Sequence, residues 1–180
     1  MRQNADVKTL GLLIVSLGIL AGGCHRPNAE VQQMNVPGIV NLKSAGDILI
    51  SGAADERGIE FVKSEGVTDI IDLRRNEEVD PDYVAAVKSA GMTYHHIPMM
   101  SNEMTDEQAD QFLKTMNEIK DTRVLLQCAS ANRSGGMFGL YLGATGKCSA
   151  EEALTQAQAA GMRHPGLAHS IQVYLQKHAK

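Results

Sequence analysis

The segment that most constrains the fold is RVLLQCASANRSGGMFGLYLGAT, residues 123–145. Five residues suited to a strand buried on both faces run into Cys128. Four small or polar residues and Arg133 follow, and the chain then continues as a helix that tolerates four glycines. An apolar strand that turns through so few residues into a helix belongs to an α/β sheet. Cys128 then lies at the carboxyl end of a strand, where such sheets place their ligands.

The rest of the chain alternates in the same way. ILISG (48–52) reads as a strand, ERGIEFVKSEG (56–66) as a helix and TDIIDLR (68–74) as a strand. DPDYVAAVKSAG (80–91) is a helix with proline at its start and glycine at its end, and MTYHHIPM (92–99) is a strand stopped by Pro98. TDEQADQFLKTMNEIK (105–120) opens on a capping box, Thr105 with Gln108. SAEEALTQAQAAG (149–161) and HPGLAHSIQVYLQK (164–177) supply two more helices. The expectation is an α/β fold with a largely parallel four- to five-stranded sheet and helices on both faces. Tryptophan is absent, so Leu, Ile, Val, Met and Ala must fill the core.

Ahead of this domain, Arg2 and Lys8 precede GLLIVSLGILAGG, an uncharged run too short to span a bilayer comfortably. LAGGC at 20–24 resembles the lipobox of bacterial lipoproteins, which implies cleavage before Cys24 and its lipidation. The domain plan is a signal peptide over 1–23, a lipidated Cys24 with a flexible tether to 37, and a folded domain over 38–180. As a coil, the 13 residues HRPNAEVQQMNVP (25–37) would reach about 20 Å. The expected location is the bacterial cell envelope, anchored by lipid and facing the periplasm, with the outer membrane as the expected membrane.

Removing residues 1–23 takes away Arg2, Lys8 and Asp6 and moves the formal charge from −4 to −5. A mildly acidic chain without a basic run argues against nucleic acid as a partner. The export signal raises a Cys128–Cys148 disulfide. The intervening helix, about 20 Å long, would hold those two residues too far apart for one.

The loop Cys128-Ala129-Ser130-Ala131-Asn132-Arg133-Ser134 suits an anion. Small residues let successive N–H groups converge, and the helix start adds positive potential. Arg133 can donate two parallel hydrogen bonds to a tetrahedral oxyanion. The same field favours thiolate at Cys128, and Ser134 could hydrogen-bond the sulfur. An arginine at a helix N-terminus is mildly unfavourable on its own, so its placement makes sense around a bound anion. Together these parts describe nucleophilic attack on a phosphate ester through a phosphocysteine.

ILISGAADERGIEFVKSEGVTDIIDLRRNEE, then GMTYHHIPM, then LLQCASANRSGG resemble the bacterial dual-specificity-phosphatase-like domains described as beta-lactamase-hydrolase-like phosphatases. The resemblance covers roughly residues 36–145. It implies a cysteine-phosphatase-like fold of dual-specificity type, with Cys128 as nucleophile and Arg133 as phosphate ligand. The phosphate-binding loop would be Ala129, Ser130, Ala131, Asn132, Arg133 and Ser134. Two positions depart from the family pattern. Gln127 stands where histidine is usual. Ala131 stands where glycine usually permits a positive φ, so a strained or differently bent loop is expected there.

The general acid is expected from the loop MMSNEMTDEQ (99–108), with Glu103 as candidate. Asp72 and Arg74 are expected to orient the loop or brace the sheet rather than react. His95 and His96, adjacent on a strand, face opposite sides, and no set of residues shows zinc-site spacing, so neither metal nor cofactor is expected. The expected partners are a phosphorylated protein or a small phosphate ester, and the membrane through the lipid. An alternative class is a rhodanese-like sulfurtransferase, because IDLRRNEE resembles that family's Ile-Asp-Val-Arg segment. Another is a catalytically weak anion-binding module.

Overall fold

The computed structural model of the protein describes residues 30–178. The segment read as a signal peptide and the expected lipidation site, Cys24, lie outside the described residues. Six strands form one sheet: β1 (Gln32–Gln33), β2 (Lys43–Ala45), β3 (Ile48–Ser51), β4 (Val67–Asp72), β5 (Thr93–His96) and β6 (Arg123–Gln127). Their spatial order is β1-β2-β3-β6-β4-β5. β3, β6, β4 and β5 are mutually parallel, and β1 and β2 add an antiparallel edge. Among the described residues the α-helices are α1 (Glu56–Ser64), α2 (Pro81–Ser89), α3 (Asp106–Glu118), α4 (Asn132–Ala144), α5 (Ala150–Ala159) and α6 (Pro165–Lys177). Among the described residues, no helix is long and apolar enough to cross a membrane.

The parallel core and all six helices stand where the periodicity predicts them. The strand count does not. β1 and β2 raise the expected four or five to six, and at two and three residues they are too short for a two-residue period to register. β1 also falls inside the segment read as a flexible tether. Its described part is instead attached to the domain: Val31, Met34 and Val36 pack against the core.

The two-residue period of the strands divides the core. Leu49, Ile70 and Leu125 face one layer with Ile59 and Val62 of α1 and Val87 of α2. Ile50, Ile71 and Leu126 face the other, with Phe112 of α3, Met137 and Phe138 of α4 and Ile171 of α6. α4 is central to that second layer, and ten of its thirteen residues are buried. Such a helix cannot be amphipathic, because it meets protein on every side.

Its glycines follow from that position. A Cβ on Gly139 would stand 2.5 Å from the Ala157 Cβ and 2.6 Å from the Ala153 carbonyl oxygen. On Gly135 it would stand 2.7 Å from the Met162 nitrogen. Close approach of α5 therefore fixes where α4, and the cysteine loop that feeds it, can lie. Gly139→Ala should cost about 1–3 kcal/mol through overpacking, read as a lowered urea midpoint with little change in slope.

Candidate active site

At the carboxyl end of the sheet, register places His96, Asp72, Gln127 and Ser51 in one row across β5, β4, β6 and β3. The cysteine loop leaves the middle of that row. Cys128 N–H donates to the Ser51 carbonyl (3.2 Å), Leu73 N–H to the Gln127 carbonyl (2.8 Å) and Ala53 N–H to the Ala129 carbonyl (3.1 Å). The first turn of the loop is thus tied to both neighbouring strands.

Cys128 is fully buried, and no disulfide joins it to Cys148. Its sulfur lies 3.5 Å from Ser134 Oγ. The expected Ser134 contact is therefore present, but its hydroxyl donates to the Ser51 carbonyl at 2.8 Å. Ser134 must turn that proton to reach a thiolate. The amides of Ala129, Ser130, Asn132, Arg133 and Ser134 meet no protein acceptor among the described residues, which leaves a run of donors at the start of α4.

Ala131 adopts φ 74°, in the left-handed region. The alanine accepts the backbone shape a glycine would take more readily, at a strain of about 1–2 kcal/mol. The site tolerates its methyl group because Gly161 faces it: a Cβ at position 161 would lie 3.0 Å from that of Ala131.

Asn132 does not spend its side chain on the cradle. Its Nδ2 donates to the Ser101 carbonyl (2.7 Å). Its Oδ1 accepts from the backbone N–H of Arg163 (2.7 Å) and His164 (3.0 Å). It joins the loop after β5 and the α5–α6 turn to the cysteine loop, so its part in the predicted phosphate loop reduces to its main chain.

Arg133 is buried, with its side chain 4 % exposed. Nη1 lies within bonding distance of Glu78 Oε2 (2.7 Å), the Met99 carbonyl (3.0 Å) and the Leu73 carbonyl (3.1 Å), and Nη2 donates to Glu78 Oε1 (2.9 Å). One edge of the fork is therefore occupied. Among the described residues Nε–H and the second Nη2–H, the pair suited to two oxygens of a phosphate, meet no protein oxygen, and the guanidinium lies in hydrogen-bonding reach of the Cys128 sulfur. Burial works to lower the Arg133 pKa, but the Glu78 carboxylate and the Cys128 sulfur more than offset it.

Glu78 escaped the sequence reading. It ends a single 3₁₀ turn, Asn76–Glu78, after β4, and nothing in its spacing ties it to a residue 55 positions later. Its Oε2 also accepts from the Arg75 N–H (2.8 Å) and Nε (3.1 Å). The Arg133 bond leads in holding its pKa at about 2, against 4.5 ordinarily.

Gln127, in the histidine position, is part of a buried polar network. Its Oε1 accepts from Tyr83 Oη (2.6 Å), and its Nε2 approaches Asp72 Oδ2 at 3.5 Å. Asp72 also takes Arg74 Nη2 (2.7 Å) and Tyr94 Oη (2.9 Å), and Arg74 lies 4.6 Å from the centre of the Tyr83 ring. Burial, and then the Asp72 charge, push both tyrosine hydroxyls well above their ordinary pKa, so they act as fixed donors. Asp72 and Arg74 form a buried ion pair within this network. The two adjacent histidines have separate tasks: His95 Nε2 meets Asp69 Oδ1 (2.9 Å) and His96 Nε2 meets the Arg74 carbonyl (2.8 Å).

Glu103 is exposed on the loop after β5. Ser101, two residues before it, is the one held by Asn132, and Met104 N–H donates to Ser170 Oγ (3.0 Å). Glu103 thus rides between two anchors, one of them on the cysteine loop.

With this geometry in place, comparison with known proteins gives a consistent result. Residues 51–138 match the model of the tyrosine phosphatase family. A DUF442 protein of Shewanella putrefaciens CN-32, provisionally assigned as a phosphatase, is 25% identical with a TM-score of 0.68, over 79% of this chain and 96% of that one. TpbA of P. aeruginosa is 18% identical with a TM-score of 0.66, over 84% and 91%. A cysteine-to-serine form of TpbA in complex with phosphotyrosine is 15% identical with a TM-score of 0.67, over 86% and 99%. No curated protein matches in sequence.

Glu78→Gln should leave Arg133 without a compensating charge and cost about 1–3 kcal/mol. Because the folded Glu78 pKa is depressed, its contribution is fully present above about pH 4.5 and is lost as pH falls toward about 2. Urea unfolding at pH 3 and pH 7 should therefore show a smaller pH difference in Glu78→Gln than in the unsubstituted protein.

Proposed function

We propose that the chain, whose residues 51–138 match the tyrosine phosphatase family, is a phosphatase of the bacterial dual-specificity-like kind that hydrolyses phosphate monoesters through a phosphocysteine on Cys128. The observation that carries this reading is the free Nε–Nη2 edge of Arg133 beside the Cys128 sulfur, held there by Glu78. The thiolate attacks phosphorus, the S–P bond forms and the P–O bond to the leaving group breaks. Arg133 and the loop amides take up the charge on the three remaining phosphoryl oxygens. Glu103 gives its proton to the departing oxygen and then removes one from the water that splits the phosphocysteine, releasing inorganic phosphate and thiolate.

The site mouth suits an ester with an apolar body. Among the described residues, Val40 and Met100 are large hydrophobic residues left exposed. Val40 accepts from Gly52 N–H beside the loop, and Met100 follows Met99, whose carbonyl lies on Arg133. The phosphotyrosine held by the TpbA relative fits that description. Either a phosphorylated protein or a small phosphate ester meets it.

Cys128→Ser should abolish turnover of para-nitrophenyl phosphate, and an inactive unsubstituted protein, in reductant from acidic to neutral pH, would contradict the proposal. Glu103→Gln should slow phenyl phosphate by about 10²-fold or more while slowing para-nitrophenyl phosphate far less, since that leaving group scarcely needs the proton. Equal loss on both substrates would remove Glu103 from the acid role. No thiocyanate should form from thiosulfate and cyanide.

We further infer that the protein is a lipoprotein: residues 1–23 act as a signal peptide and Cys24 carries lipid that anchors the domain at the envelope, facing the periplasm. Cys24→Ser should move the protein from the membrane fraction to the soluble fraction. Retention in the membrane fraction would contradict the anchor.

A further inference from the structure

Two cations, Lys43 and Arg163, stand beside the cysteine loop close enough for one charge to act on the other. Arg163, in the turn between α5 and α6, donates from Nη2 to Ser130 Oγ (3.2 Å) and to the Ser130 carbonyl (3.4 Å). Asn41 Nδ2 donates to the same carbonyl (3.3 Å), and Lys43 Nζ donates to the Asn41 carbonyl (3.3 Å). The turn that carries Arg163 is fixed by its own backbone N–H, bonded to Asn132 Oδ1, while its side chain stays exposed. Neither Lys43 nor Arg163 forms a salt bridge among the described residues. Burial, and then the Arg163 charge, lower the Lys43 pKa.

Like charges held together cost stability unless an anion offsets them. Nothing in the catalytic scheme uses this pair, since the transferred phosphoryl group is met by Arg133 and the loop amides. Yet Arg163 reaches the loop at Ser130, one of the residues whose amide is free for that phosphoryl group, and Lys43 is held on Asn41, whose side chain bonds the same residue. A second negative charge on the same molecule would come within their reach.

We propose that Lys43 and Arg163 form a second anion subsite, so that the preferred substrate is a phosphate monoester bearing a further phosphate or carboxylate. This rests on the phosphatase reading, and it is best tested by binding, which needs no turnover. Orthophosphate and pyrophosphate are titrated calorimetrically into the Cys128→Ser protein at fixed ionic strength. Pyrophosphate should bind about tenfold more tightly, as a charge-assisted contact provides. Adding Lys43→Gln and Arg163→Gln should bring that ratio close to one. Adding Lys88→Gln and Lys114→Gln, two exposed lysines that make the same change in net charge, should leave it intact.

An unchanged ratio after removal of Lys43 and Arg163 would overturn the subsite. Equal weakening of both anions would also overturn it, for it would mean that Arg163 merely braces Ser130. A binding preference in a protein that hydrolyses no ester would retain the subsite and reject the phosphatase reading. Turnover of para-nitrophenyl phosphate without any preference for pyrophosphate would do the reverse.

Discussion

The site is organised around one buried cation. Taking a guanidinium out of water costs several kcal/mol unless its hydrogens find acceptors, and Arg133 finds them on three separate segments. Glu78 comes from the turn after β4, the Leu73 carbonyl from the end of that strand and the Met99 carbonyl from the loop after β5. Each is needed for burial, so meeting the electrostatic demand of Arg133 also gathers the loops around Cys128. The bonds occupy one edge of the fork and leave the other for a ligand. Stability and binding geometry are thus set by the same contacts.

A second organising element is the packing of α4. A helix buried on most of its surface can sit close to α5 only where side chains are missing, and Gly135 and Gly139 provide those places. The position of α4 in turn sets the first turn of the helix, where the amides of Asn132, Arg133 and Ser134 lie. Ala131 is strained just before it, and Gly161 makes room for its methyl group. The two residues that break the family pattern are accommodated in different ways. Ala131 keeps the backbone shape at an energetic cost. Gln127 replaces an ionisable ring with an amide held by Tyr83 and Asp72.

Much of this was legible in the sequence. The parallel core and its helices follow from hydrophobic period and capping signals, and Cys128 and Arg133 stand out because cysteine and arginine at a strand–helix junction need an explanation. The edge strands β1 and β2 were hidden because they are too short to show a period. Glu78, Lys43 and Arg163 were hidden for another reason: each acts across a gap in sequence that only the folded chain closes, and each reads locally as an ordinary charged surface residue. Asn132 was assigned to the anion because of its place in the loop, yet its side chain satisfies two neighbouring loops instead.

The central claim is that Cys128 forms a covalent bond to the phosphoryl group while Arg133, aligned by Glu78, holds it. The most direct measurement is an acid quench of the protein during turnover, followed by mass spectrometry of the peptide that contains Cys128. The account predicts a peptide heavier by one phosphoryl group, with the addition located on Cys128 and absent from Cys128→Ser. Robust turnover with no modified peptide, or with the phosphoryl group on another residue, would contradict it.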